Sequence, residues 1–436
     1  MEIYNLVSLG GIVVLLGFAY LLSSDRKNIN YRVVFWGISV QVAFGVFVFL
    51  LPQGIKIFLY LNDVVVNIMN SSAAGAKFLF GRLALPPGTQ NEYGESSLGF
   101  YLAFQALPTI IFFSALMSVL YYYGIMQRII KAFSYFFTRL MHVSGAESLS
   151  AASNIFVGVE SSLTIRPYLD RMTKSELCTV LTAGMATVAS NVLALYIFTL
   201  HDVFPTIASH LVSASILSAP AAILMSKILQ PESEIPVTLG LNVNPEYEME
   251  DTIFESIING SNNGVKLIVG IAALLVAVLG LVALLNQFLG FIGVQMNSVL
   301  GTHFTLTLQN IIGYVFYPFT VILGIPVHDA LNASRIIGEK VILTEVVSYQ
   351  DLAVAIKNQV ITDPRTIVIT TYALCGFTHL ASMAIFVGGI SAIAPARKKE
   401  IASVGFRSLI AATLACLMTA CIAGMFFTGS SILLQK

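Results

Sequence analysis

Two carboxylates stand where hydrocarbon surroundings would make them costly. Glu160 lies in Val159-Glu160-Ser161-Ser162 and Glu345 in Thr344-Glu345-Val346-Val347, each within a stretch that is otherwise largely apolar. An ionised carboxylate at membrane depth is unfavourable by several kcal/mol unless something pairs with it. Such a group is kept where it accepts hydrogen bonds from a hydroxyl-rich substrate or carries a proton. The structural alternative is an ion pair, Glu345 with Arg335 or Lys340 and Glu160 with Arg166. The polar, helix-breaking contexts of both acids favour the functional reading. A second constellation is rich in oxygen but uncharged: Asn154, the backbone around Val157, and Thr187 with Val188. An amide, a hydroxyl and carbonyls freed at a helix break suit a sodium ion, because hard cations take oxygen ligands. Ordinary satisfaction of helix ends by polar side chains is the alternative. His379, in another apolar run, can bind substrate or titrate near neutral pH. Phe377, two residues earlier, offers a flat face to a ring, with plain packing as the alternative.

The elements that hold these residues are membrane helices. The chain has 436 residues, of which 56% are hydrophobic and only 11% charged, and its mean hydropathy is +0.83. That excludes an ordinary soluble domain. The 23 basic and 23 acidic residues balance, and no basic stripe for nucleic acid is present. The four cysteines, Cys178, Cys375, Cys416 and Cys421, lie in apolar runs without metal-ligand spacing and read as packing thiols. The first apolar run has no basic segment before it and no small-residue cleavage site, so it is expected to be a span and not a removable signal. No metalloprotease, nucleophile-elbow, P-loop or dinucleotide-binding signature is found.

A bilayer core of about 30 Å needs about 20 apolar helical residues. Eight spans are expected: Tyr4 to Leu22, Val33 to Leu51, Leu107 to Gly124, Leu177 to Leu200, Ile207 to Leu229, Leu267 to Leu289, Ile367 to Ile390 and Ser408 to Phe427. Arg26, Lys27 and Arg32, then Arg128, Lys131 and Arg139, then Arg397, Lys398 and Lys399, all fall on one side if the N-terminus is outside. The positive-inside rule makes that side cytoplasmic, with both termini outside. Ser144 to Met172 and Asn310 to Tyr349 are neither good spans nor soluble loops. They read as re-entrant helical hairpins, since broken polar segments survive at membrane depth only when buried or lining a cavity. Lys357 and Arg365 would then sit at the mouth of a vestibule. Ile55 to Ile68 reads as an interfacial amphipathic helix, and Ile125 to Met141 reads likewise.

An internal repeat organises these parts. Gly184-Met185-Ala186-Thr187-Val188-Ala189-Ser190 echoes Gly376-Phe377-Thr378-His379-Leu380-Ala381-Ser382, and one acid stands upstream of each copy. The orientation above makes this an inverted repeat with a site at the midplane, the plan of many secondary transporters. The expected layout is an N-terminal scaffold (1–106), a first transport repeat (107–230, hairpin 144–172), a cytoplasmic connector (231–265), and a second transport repeat (266–436, hairpin 310–349).

These residues also carry a resemblance. Asn154-Ile155-Phe156-Val157-Gly158, Glu160 and Arg166-Pro167-Tyr168-Leu169 resemble the first hairpin of the concentrative nucleoside transporters. Gly324-Ile325-Pro326-Val327 and Gly338-Glu339-Lys340 through Tyr349 resemble that family's second hairpin. Ala373-Leu374-Cys375-Gly376-Phe377 and Ala394-Pro395-Ala396-Arg397 resemble its seventh span and the loop after it. The resemblance implies an all-α homotrimer of eight spans and two hairpins per protomer, importing nucleosides on a sodium or proton gradient across a bacterial inner membrane. It maps the ribose-binding glutamate onto Glu345, the first-hairpin glutamate onto Glu160, and the sodium ligands onto Asn154, Val157, Thr187 and Val188. Phe377 and Val192 would face the ring, Glu345 and His379 the hydroxyls with Ser382 beside them, and Glu160 would order the first hairpin's tip. No other cofactor is implied. Three motifs depart from the family. Gly158-Val159-Glu160-Ser161-Ser162 replaces Gly-Gln-Thr-Glu with its following proline, losing the glutamine and threonine that bind the base. Phe377-Thr378-His379 replaces Phe-Ala-Asn, and Thr344-Glu345-Val346 replaces Asn-Glu-Phe. The rival readings are a proton-driven carrier of another substrate using His379 or Glu160, and an enzyme of lipid-linked nucleotides or sugars whose acids would come from Glu232 to Glu255. A receptor that transports nothing needs neither the repeat nor two cavity acids.

Overall fold

A computed structural model describes residues 3–245, 250–301 and 305–429. Among them the secondary structure is helical, with no β-strand beyond two isolated bridges. Two helices, α1 (Ile3–Leu21) and α2 (Tyr31–Phe49), precede α3 (Pro52–Phe80), a single turn α4 (Leu102–Gln105) and α5 (Leu107–Tyr122). Then come α6 (Ile125–Met141), α7 (Gly145–Asn154), a 3-10 stretch (Val159–Ile165) leading into α8 (Arg166–Leu169), α9 (Lys174–Ala186), α10 (Ser190–Leu200) and α11 (Ile207–Leu229). The second half runs α12 (Ile253–Leu300), α13 (Leu308–Ile322), α14 (Val327–Glu339), α15 (Glu345–Lys357), α16 (Pro364–Leu374), α17 (Leu380–Ile393) and α18 (Lys398–Phe426). Counted by α-helix among the described residues, α5 to α11 and α12 to α18 are two runs of seven, each with a break between its fifth and sixth members, at residues 187–189 and 375–379. The helices α5 and α12 pack on each other, as do α9 and α18, so the halves interlock.

Burial explains the composition. In the 18-residue apolar cores of Lys174–Leu200 and Ile207–Leu229, 89% of the residues are buried inside the protein, against 11% in that of Ile253–Val299. The central helices therefore carry Ala, Ser and Gly for close approach. The outer α12 instead turns Val276, Leu281, Leu284 and Phe288 outward, an apolar face suited to lipid. Seven helical stretches among the described residues are long and apolar enough to cross a bilayer. The expected span Ile367 to Ile390 is divided between the shorter α16 and α17.

The structure corrects several boundaries. The short interfacial helix expected at Ile55 to Ile68 is part of the 29-residue α3, and α12, 48 residues long, continues past Leu289 to Leu300, into the connection expected there. His303 lies outside the described residues. The stretch Asn310 to Tyr349 holds most of α13, all of α14 and only the start of α15, because Gly324 and Pro326 break the chain earlier than its polarity suggests. Arg365 is not at a cavity mouth. It is 2% exposed and donates to the Gly324, Tyr4 and Gly424 carbonyls, to Asn5 Oδ1 and to Ser8 Oγ, pinning α1 and α18 to the start of α16.

Candidate functional site

The site forms where two helix breaks meet. The helix α9 stops at Thr187, whose backbone is extended (φ −106°, ψ 169°). In the second half the chain unwinds from Cys375 to His379. Gly376 sits there at φ +128°, and a Cβ on it would lie 2.7 Å from both the Ala186 carbonyl oxygen and Cys416 Sγ. Only glycine lets the two breaks approach this closely. The carbonyls freed by unwinding are taken up from neighbouring helices. Lys340 Nζ donates to the Ala373 carbonyl (2.8 Å), Tyr349 Oη to that of Thr371 (3.0 Å) and Cys416 Sγ to that of Cys375 (2.9 Å). Lys340 is thus spent on backbone and does not pair with Glu345.

Glu345 is the first residue of α15, so its carboxylate lies at the positive end of that helix dipole. Tyr196 Oη donates to Glu345 Oε1 at 2.7 Å, and His379 Nε2 lies 3.1 Å from Oε2. His379 caps α17: its Nδ1 accepts the backbone N–H of Ser382 at 3.2 Å. With Nδ1 accepting, the proton of a neutral ring sits on Nε2, facing the acid. Tyr196 is in turn stacked on Tyr349, ring centroids 4.5 Å apart. Three elements, α10, α15 and α17, therefore converge on one carboxylate. Glu345 Oε2 nevertheless has no aligned hydrogen-bond donor, and Thr344 Oγ1 beside it has no partner.

Thr344, Glu345 and His379 line a cavity of about 130 Å³ walled by both halves, with Leu267, Ile271, Leu274 and Leu275 of α12 on one side. Val192, Phe377 and Phe386 supply apolar surface, and Asn191, Ser382 and Glu160 the remaining polar side chains. A concave, mostly apolar site with a few convergent polar groups is built to hold a small molecule. Gly158, Glu160 and Asn191 also line a second cavity that passes Thr164, Arg166, Asn263 and Glu250. Glu160 thus stands at the junction, with Glu345 and His379 on the inner cavity alone.

The uncharged oxygens collect at the turn between α7 and the 3-10 stretch. Asn154 Nδ2 donates to the Ser150 carbonyl at 2.9 Å, leaving Oδ1 buried without a partner. Ser190 N–H donates to the Phe156 carbonyl at 3.0 Å. Ser215 Oγ lies 3.1 Å from the Ile155 oxygen and 3.5 Å from that of Val188, stitching the turn to the α9–α10 break. Thr187 Oγ1 donates back to Ala183. Among the described residues no group of His, Cys, Asp and Glu could hold a metal ion, so a cation here would rest on neutral oxygens. The unpartnered Asn154 Oδ1 fits that.

The expected residues are thus brought into two neighbouring clusters, with differences. Glu345 and Glu160 are not equivalent: the first is 3% exposed and held, the second is exposed. Glu160, expected to order the turn, makes no hydrogen bond or ion pair among the described residues, Arg166 included. Ser382 lines the cavity, but its hydroxyl donates to the Phe377 and His379 carbonyls, so it shapes the break. Tyr196 was missed by sequence reasoning. A phenol inside the largely apolar run Leu193 to Leu200 is the signal that could have found it, since a buried hydroxyl needs a partner.

Comparison with known proteins places the chain as a whole. The family description "Na+ dependent nucleoside transporter C-terminus" matches residues 210–424, its N-terminal counterpart residues 10–83, and a "Nucleoside recognition" gate residues 103–202. Solute carrier family 28 member 3 of Mus musculus is 36% identical over 97% of this chain, which covers 59% of that longer protein. The chain therefore spans about three fifths of the mammalian relatives it matches. An uncharacterized transporter of Haemophilus influenzae is 36% identical, with 97% of each chain covered. The solved structure of CNTnw in an inward-facing substrate-bound state superposes with TM-score 0.86 at 36% identity, covering 97% of this chain and 98% of that one. The chain belongs to the concentrative, sodium-dependent nucleoside transporter family.

Proposed function

We propose that this protein is a symporter that imports nucleosides down a sodium gradient by alternating access. One observation carries the reading: Glu345 Oε2, buried at the inner end of a cavity closed by both halves, keeps acceptor capacity beside His379 and Thr344. Neighbouring hydroxyls of a ribose are suited to that arrangement, and Phe377, Phe386 and Val192 to a flat base. Sodium, carried as cargo with the nucleoside, would be held by Asn154 Oδ1 and the backbone oxygens of Val157, Thr187 and Val188. In this reading residues 107–230 and 266–436 are inverted transport repeats, and the broken segments of each are re-entrant hairpins. The protomers form a homotrimer in a bacterial inner membrane with both termini outside.

Uptake of radiolabelled uridine, adenosine and guanosine into proteoliposomes, with and without an inward sodium gradient, tests it. Sodium-dependent accumulation of any of them supports the reading. Accumulation that ignores sodium and collapses with the proton gradient would instead assign the same fold to proton coupling. Absence of uptake by folded protein would sink the nucleoside assignment.

A further inference from the structure

Resting on that reading, the polar groups around the cavity restrict which base it accepts. At the inner end Glu345, His379 and Tyr196 hold one another, and the free acceptor and hydroxyl belong to Glu345 and Thr344. Elsewhere on the wall Asn191 is neutral and partly engaged: Nδ2 donates to Ser114 Oγ at 3.2 Å and Oδ1 accepts the Val192 N–H at 2.9 Å. The Ser382 hydroxyl is bound to backbone carbonyls. That leaves Glu160, exposed at the junction of the two cavities, as the uncommitted polar side chain for the far end of a bound nucleoside. Arg166 shares the outer cavity without bonding to it.

An ionised carboxylate accepts hydrogen bonds and donates none. It is best met by two N–H donors side by side, which bind it bidentately. Among the common nucleobases guanine alone presents such a pair, N1–H and the N2 amino group. Adenine and cytosine set a ring-nitrogen acceptor beside their amino group, and uracil flanks its single N–H with carbonyl oxygens that a carboxylate repels. Hypoxanthine keeps N1–H but lacks the amino group. We propose that Glu160 is a specificity-determining residue that reads the base, and that the preferred cargo is a guanine nucleoside.

Equilibrium binding of guanosine, inosine and uridine to the purified transporter in sodium tests this, because guanosine and inosine differ only by the 2-amino group. Guanosine is expected to bind about 10-fold or more tightly than inosine, the discrimination typical of one bidentate base contact. Glu160→Gln replaces one acceptor by a donor and should bring the guanosine-to-inosine ratio to within about threefold of unity. Glu160→Asp, which keeps the carboxylate on a shorter arm, should retain a measurable preference and controls for general disruption. Equal binding of guanosine and inosine by the unaltered protein would overturn the base assignment while leaving nucleoside transport standing. So would a ratio that Glu160→Gln does not change. Binding of no nucleoside at all would overturn both.

Discussion

Tyr196 and Glu345, on α10 of the first half and α15 of the second, are joined by a 2.7 Å hydrogen bond between two buried side chains. The bond ties the two halves of the chain together at the wall of the cavity, so the geometry of the Glu345 carboxylate depends on both halves at once. A hydrogen bond to a charged group is worth about 1.5–3 kcal/mol. Tyr196→Phe keeps the ring and its stacking on Tyr349 but removes that donor. Substrate affinity is expected to fall by about 10-fold or more, with thermal stability changed far less, as measured by ligand binding and unfolding of the same preparation. An unchanged affinity would mean that Tyr196 only packs.

His379 is expected to act through its two nitrogens separately. His379→Asn keeps a side chain able to cap α17, whereas His379→Leu loses both the cap and the partner of Glu345. Loss of a cap costs about 1 kcal/mol. Unfolding temperature should therefore drop more for the leucine variant, while nucleoside affinity drops in both. Equal unfolding temperatures for the two variants would remove the capping role.

Asn154→Ala removes the buried Oδ1 that lacks a protein partner. The expected outcome is a rise in the sodium concentration needed for half-maximal uptake of at least about tenfold, the effect of losing one ligand or its immediate support. Nucleoside affinity measured at saturating sodium should change little. A sodium dependence identical to that of the parent would place the ion elsewhere.

Lys227, buried at the end of α11, lies 2.8 Å from Glu147 Oε2 and 3.1 Å from Glu232, while Glu147 Oε1 closes the capping box of α7. Lys227→Met leaves the buried Glu147 carboxylate uncompensated, and breaking a buried pair in this way costs roughly 3–5 kcal/mol. The unfolding temperature should fall sharply in the single variant and recover in part when Glu147→Gln is added. A double variant no better than the single one would show that the pair is not the source.

Gly376 occupies a left-handed conformation against the Ala186 carbonyl. Gly376→Ala combines unfavourable φ with a backbone clash, so it should prise the two breaks apart. Binding of nucleoside and sodium would weaken together, which dual titration of one sample would reveal. Loss of one without the other would show that the breaks are not mechanically joined.

Much of this protein was legible in order of residues alone. The apolar runs, the matching breaks at Thr187 and His379, and the isolation of Glu160 and Glu345 follow from side-chain chemistry that hydrocarbon tolerates poorly wherever it occurs. Local rules also marked the ends of α7 and α9, where Ser144 with Glu147 and Thr173 with Glu176 form capping boxes. Partners were not legible. Lys340, Arg335 and Arg166 were as plausible for the two acids as any other group, because charge and proximity in sequence do not say which way a side chain turns. Tertiary packing gave Lys340 to the Ala373 carbonyl, Arg365 to five oxygens on α1, α18 and the turn after α13, and Glu345 to Tyr196 and His379, since each freed backbone group away from water had to find a donor or acceptor. The same packing separated two acids that look alike in the sequence. Glu345 begins a helix whose N-terminus and neighbours hold it in place, and Glu160 lies on a short 3-10 stretch that leaves its carboxylate open to the cavity.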